Sequence, residues 1–156
     1  MKILYVLLFS PILLWSQFGN PNEKPVLWTS TENYDIPSKE LIADKSKIQE
    51  LSQEPNNLFI VATGIPTDIF FSDFKLVKVL PSGDKVYQYQ ITSENALGLR
   101  IQFQNLQLDP QARIWLYNQD KTDVVGSYSR RDVLSDGSLL TSYIHSNTAI
   151  VEILEP

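Results

Sequence analysis

No cysteine occurs anywhere in these 156 residues. Its absence excludes a disulfide framework, a thiolate metal site and a cysteine nucleophile together. Histidine is almost as scarce, with His145 alone. One imidazole cannot build a histidine metal centre, and a serine-type triad needs a base that an acid holds in place. His145 stands in Ile144-His145-Ser146-Asn147, which reads as a tight turn between two strands, so it is expected to be solvated surface. Basic residues are outnumbered, 13 Lys and Arg against 18 Asp and Glu. Nucleic acids and anionic membrane surfaces select basic patches, so neither is an expected partner. Arg130-Arg131, the one adjacent basic pair, is expected to be a solvated loop. There is also no apolar run of bilayer length. Ile3 to Trp15 is too short to span and has no stop-transfer flank.

That run has another use. Lys2 supplies a positive charge before it and Ser16 a small residue after it, the pattern of a secretory signal peptide over residues 1–16. Cleavage would release a secreted chain of 140 residues, with net charge moving from −5 to −6 as Lys2 leaves. That length is enough for one domain with a real core. With no cysteine to staple it, the domain must rely on that core or on a partner.

Residues 17–57 read as a leader. Pro21, Pro25 and Pro37 among Asn and Ser predict an extended, poorly ordered stretch up to Pro37. Ser38 then resembles a helix N-cap, with Glu40 in the first turn. Leu41, Ile48 and Leu51 can share one face of a short helix that ends at Pro55-Asn56-Asn57.

From Leu58 the pattern becomes β. Leu58 to Ala62 is a continuous apolar run, and Ile69-Phe70-Phe71 and Phe74 to Leu80 follow. Tyr87, Tyr89 and Ile91 alternate with Gln88 and Gln90, and Leu97, Leu99, Ile101 and Phe103 alternate with Gly98, Arg100 and Gln102. A period of two marks a strand with one buried face. After Asn105 the apolar set moves to even positions, Leu106 and Leu108, which predicts a bulge or bend. Arg113 to Tyr117, Val124 to Gly126, Leu139 to Ile144 and Ala149 to Leu154 complete the set, with Asn118-Gln119-Asp120-Lys121 as a polar hairpin loop. About eight short strands at this spacing predict an antiparallel β-sandwich, jelly-roll-like, over residues 58–156, with the short helix preceding it. No connection after Pro55 is long enough for a crossover helix, so the sheet should be largely antiparallel.

Candidate chemistry is sparse. Asn118, Asp120 and Asp123, or Asp132 and Asp136, carry oxygens of the kind calcium takes, but neither set has the spacing of a calcium loop. Turn hydrogen bonding explains these residues more simply. No cofactor or metal is expected. Trp115 and Tyr117 share one strand face while Ile114 and Leu116 share the other, so both faces must be covered or one displays aromatics. A sugar-stacking platform of Trp115 and Tyr117, with Tyr87 and Tyr89 beside them, is the functional expectation, and a glycan the partner it implies. Packing of that face against the N-terminal helix or a second domain is the simpler one, since exposed apolar patches mark protein contacts.

The progression Leu99, Phe103, Pro110, Ala112, Tyr117, Gly126 and Tyr128, with Glu152, Glu155 and Pro156 closing it, resembles the N-terminal pro-region domain of secreted trypsin-like serine endopeptidases of the lysyl endopeptidase type. The likeness covers about half the chain, counting the strand from Lys85 to Ser93. Gln111 stands where that family has glycine, and Ser146-Asn147 replaces a Gly-Asp turn. The resemblance implies a domain that assists folding of a cognate serine protease domain and holds it inactive. It also implies that the catalytic domain would begin near Glu155-Pro156, so that this chain is a detached pro-region, a truncated product or a stand-alone relative. No residue here matches the family's catalytic ones, and the expectation is a domain that is not an enzyme by itself.

Overall fold

A computed structural model describes residues 19–43 and 64–156. Among the described residues eight strands form two sheets: β1 (Ser38–Leu41), β2 (Lys75–Val79), β3 (Lys85–Ser93), β4 (Gln102–Phe103), β5 (Arg113–Tyr117), β6 (Val124–Tyr128), β7 (Leu139–Leu140) and β8 (Thr148–Glu155). The larger sheet runs β1-β3-β8-β5-β6, and β2 pairs with the first half of β3 while β1 pairs with the second half. The smaller sheet is β4 with β7. Among the described residues helix is limited to two single 3₁₀ turns, Phe71–Asp73 and Arg130–Asp132, and no helix is long and apolar enough to cross a membrane.

β3 and β8 form the spine, eight residues in register from Lys85 opposite Glu155 to Thr92 opposite Thr148. Their alternation decides what each face carries. Tyr87, Tyr89 and Ile91 of β3 share a face with Val151 and Ile153 of β8, Ile114 and Leu116 of β5, and Tyr128 of β6. Leu139 and Ile144 close over this face, with Leu99, Ile101, Phe103, Leu106 and Leu108 packed against it. The period-two reading of Leu99 to Phe103 therefore holds for its facing, although only Gln102–Phe103 pairs as a strand, with one bridge from Leu99 to Ile144. The phase change also has its cause. Asn105 takes a left-handed φ of 53°, a conformation Asn tolerates, and the resulting bend lets Leu106 and Leu108 reach the core that Ile101 and Phe103 face.

Two expectations for the N-terminal part are corrected. Ser38 does not cap a helix; Ser38–Leu41 is a strand, running parallel to Gln90–Ser93. The open second half of β3's edge offers backbone partners to any extended segment beside it, and that pairing outweighs a weak local helix preference. The parallel pair is possible because more than forty residues separate β1 from β3, ample for a crossover. Ile48, Leu51 and Pro55, and the run Leu58 to Ala62, lie outside the described residues. Nor is the stretch from Gly19 to Pro37 poorly ordered. Gly19 to Ser30 lies across the second face of the large sheet, with Pro25 and Leu27 buried.

Candidate functional site

The second face of the large sheet carries Val86, Gln88 and Gln90 of β3, Ile150, Glu152 and Leu154 of β8, and Arg113, Trp115 and Tyr117 of β5. Its centre is polar. Glu152, 0% exposed, sits in the apolar run Ala149 to Leu154 and points away from the hydrophobic core. Its Oε2 accepts from the Tyr117 hydroxyl at 2.9 Å and the Gln88 amide at 3.0 Å, and its Oε1 from the Leu27 backbone N–H at 3.2 Å. The Gln88 amide also reaches the Tyr117 oxygen at 2.7 Å. Every partner is neutral, and among the described residues Glu152 joins no ion pair. Burial pushes its carboxyl above the usual carboxylate value, although hydrogen bonds from Tyr117, Gln88 and the Leu27 and Val26 amides pull it back. Burial, with the charge of Glu152 behind it, likewise pushes the Tyr117 hydroxyl far above its ordinary value, so it remains a proton donor.

The strap Gly19–Ser30 is held through its main chain. The Trp115 indole donates to the Glu23 carbonyl at 2.9 Å, and the Lys121 ammonium donates to the carbonyls of Leu27 and Ser30 at 2.7 Å each. At the β6 edge Asn20 and Ser127 exchange both backbone hydrogen bonds, at 2.9 and 3.0 Å. The Glu23 side chain reaches the Ser127 hydroxyl and pairs with Arg113 at 3.7 Å. The Trp28 ring meets Tyr117 edge-on, centroids 5.9 Å apart. Lys121 is positioned by the β5–β6 hairpin. There its φ is 53°, and Asn118 Oδ1 accepts from the amides of Thr122 and Asp123. Gly126 admits the bulge opposite Trp115: its φ is 109°, and a Cβ there would stand 2.6 Å from the Ile114 carbonyl oxygen.

The expected aromatic platform is not assembled. Trp115 and Tyr117 are each 1% exposed beneath the strap, and Tyr87 and Tyr89 lie on the opposite face of the sheet. Adjacent strands are in register, so odd-numbered residues of β3 and of β5 fall on different faces, a relation that one strand read alone does not reveal. Tyr87 and Tyr89 stack instead on Phe71 and Phe74, at 4.9 and 5.3 Å.

The loop candidates are occupied with turns. Asn118 Oδ1 is taken by two amides, an Asp132 oxygen accepts from the Ser129 amide at 2.7 Å, and Asp136 accepts from the Ser138 amide at 2.9 Å. Among the described residues no three His, Asp or Glu side chains gather as a metal site. His145 is exposed, with its ring 3.4 Å from Asp123 and edge-on to Tyr143. Arg130 and Arg131 are exposed in the second 3₁₀ turn, and Arg130 borders an open cleft of about 620 Å³ beside Leu106, Leu108 and Leu134.

Glu152, Gln88, Lys121 and Leu27 were not expected as site residues, Glu152 having entered only through the resemblance. The usable signal was Glu152 itself, one carboxylate inside a six-residue apolar strand. Comparison with protein-family models, with curated proteins and with solved structures found no match.

Proposed function

We propose that this chain is a non-catalytic accessory domain of a secreted serine endopeptidase, of the pro-region kind, assisting the folding of the protease or holding it inactive. The observation that carries the reading is an apolar edge at β2. Phe70 and Val79 are 66% and 57% exposed, and Phe71 and Leu76 are exposed beside them. Leu76 and Val79 pair with Tyr87 and Lys85, which puts both on the side of the sheet where Phe71 stacks on Tyr87. Exposed apolar side chains grouped on an edge strand mark a protein contact, and an edge offers unpaired backbone groups as well.

The partner class comes from the resemblance of Leu99, Phe103, Pro110, Ala112, Tyr117, Gly126 and Tyr128 to the lysyl endopeptidase pro-region. Several of these are structural here: Ala112, Tyr117, Gly126 and Tyr128 are buried. In architecture we read the two sheets, facing across one core, as a jelly-roll-like sandwich with a reduced second layer. The test is to add the purified chain to a lysyl endopeptidase-type protease from the same source. Slowed peptide hydrolysis or faster refolding at micromolar concentration is expected, weakened at least tenfold by Val79→Asp. A folded chain that neither binds nor alters the protease would refute the proposal.

A further inference from the structure

The described cations divide into two groups. Carboxylates pair with Lys75, Lys78, Lys85 and Arg113, main-chain carbonyls take Lys39, Arg100 and Lys121, and Lys24 lies over the Trp28 ring. Arg130 and Arg131 are exposed, and among the described residues neither side chain has such a partner. The acids closest to them in sequence are engaged elsewhere. An Asp132 oxygen accepts from the Ser129 amide at 2.7 Å, and Asp136 Oδ1 from the Ser138 amide at 2.9 Å. Arg130 therefore brings an uncompensated guanidinium to the open cleft of about 620 Å³ that it borders, and Leu106, Leu108, Val133 and Leu134 give the same cleft apolar walls. A smaller hollow of about 180 Å³ adjoins it, sharing Asn105 and Asp136 and adding Gln102, Gln104 and Ser138. The walls are set by the fold itself. The Leu106 amide donates to the Gly137 carbonyl at 2.8 Å, which ties the two loops of the cleft together. Gly137 permits that approach with a φ of 78°, since a Cβ there would stand 3.3 Å from Asn105 Cα. A preformed cleft spends little free energy on ordering when a ligand enters.

We infer that this cleft binds the carboxyl-terminal end of a peptide whose last residue is leucine or a similar aliphatic residue. Charge complementarity selects the anion, because a guanidinium matches a carboxylate with two parallel hydrogen bonds. The terminal side chain, attached next to that carboxylate, is covered by Leu106, Leu108 and Leu134. Gln102, Gln104 and Asn105 in the smaller hollow meet the main chain of the preceding residues, and Asp136, which borders both hollows, takes one of its N–H groups. A fatty acid has no use for the polar hollow, and an inorganic anion has none for the leucines. The cleft follows β6, at the opposite end of the larger sheet from β2, so the inference does not rest on the contact proposed there.

The probe is a pool of fluorescein-labelled pentapeptides, Gly-Ser-X-X-Leu with both X positions varied, titrated with the intact chain at physiological salt and followed by polarisation. The pool with a free carboxyl end should bind, and the same pool amidated at that end should bind about tenfold more weakly or worse. Arg130→Ala should cost about as much, and Leu134→Ser severalfold; both residues are exposed, so both variants should fold as wild type does. Arg131→Ala, outside the lining of the cleft, should leave binding within about twofold, which separates a specific pair from general positive charge. Octanoate and free leucine should each displace the pool far less effectively than unlabelled peptide. Equal binding of the acid and amide pools, no loss in Arg130→Ala, or an equal loss in Arg131→Ala would overturn the site. Displacement by octanoate or leucine as effective as by peptide would overturn it too, and give the cleft to a small molecule.

Discussion

The two faces of the large sheet are covered by different means. On one, Ile114, Leu116, Tyr128, Val151 and Ile153 meet Leu139, Ile144 and the loop leucines in a largely apolar layer. On the other, Glu152, Trp115 and Lys121 hold a single strap of turns through hydrogen bonds to its main chain, and Gln88 and Tyr117 hold Glu152 in place. The first cover is non-directional and tolerates small shifts, because burial of apolar area rewards any close fit. The second depends on geometry, since each bond is worth little net and an unmade one is expensive. A cover of the second kind can come off while the first remains intact.

The sharpest way to break that contrast is to truncate one leucine on each side. Leu116→Ala should cost about 2–5 kcal/mol of global stability in denaturant unfolding. Leu27→Ala should cost less, because its loss is limited by the free energy with which the strap docks. Equal losses from the two would mean that strap and core form one cooperative unit.

Glu152 gives the next effect. Glu152→Ala leaves the Leu27 amide, Gln88 and Tyr117 without their acceptor and should cost about 3 kcal/mol, whereas Glu152→Gln keeps the shape and should cost less. The two also differ in pH dependence. The folded carboxyl lies above its ordinary value of 4.5, so its share of stability is complete below that value and is lost as pH rises through the folded one. Wild type should therefore lose stability relative to Glu152→Gln as pH rises from about 4.5. Tyr117 and Tyr34, the titratable groups facing it, stay neutral over this range, as both are shifted upward. A flat difference between the two proteins from pH 4 to pH 8 would remove the strain assigned to this carboxyl. The smallest effect belongs to Lys75, whose exposed pair with Asp35 at 3.4 Å ties β2 to the segment after the strap. Lys75→Ala should change stability by less than about 1 kcal/mol, measured in the same unfolding assay.

Much of the strand pattern was legible because alternation survives wherever one face is buried. Arg113 to Tyr117 is β5 residue for residue, and β3, Lys85–Ser93, contains the alternating run from Tyr87 to Ile91. Short strands were less so: Leu97 to Phe103 contributes only two paired residues, since its apolar facing is set by packing and its pairing by which neighbours reach it. β1 was missed because its pairing with β3 overrides a local helix signal, and the strap for another reason. Prolines and polar residues read as disorder when the acceptors and donors for their backbone lie a hundred residues away, as Glu152 and Trp115 do for Leu27 and Glu23. That Trp115 and Tyr117 occupy one strand face was readable; that Glu152 and Gln88 stand beside them depends on cross-strand register.

The most direct measurement is native-state hydrogen exchange at the Leu27 amide against the amides of β8. A strap held by local bonds to a sheet that stays folded predicts exchange at Leu27 through a partial opening, faster than at Val151 and hastened further by Glu152→Ala. Exchange at Leu27 and Val151 with the same protection, shifted together by every substitution, would contradict it and make the strap an inseparable part of the core.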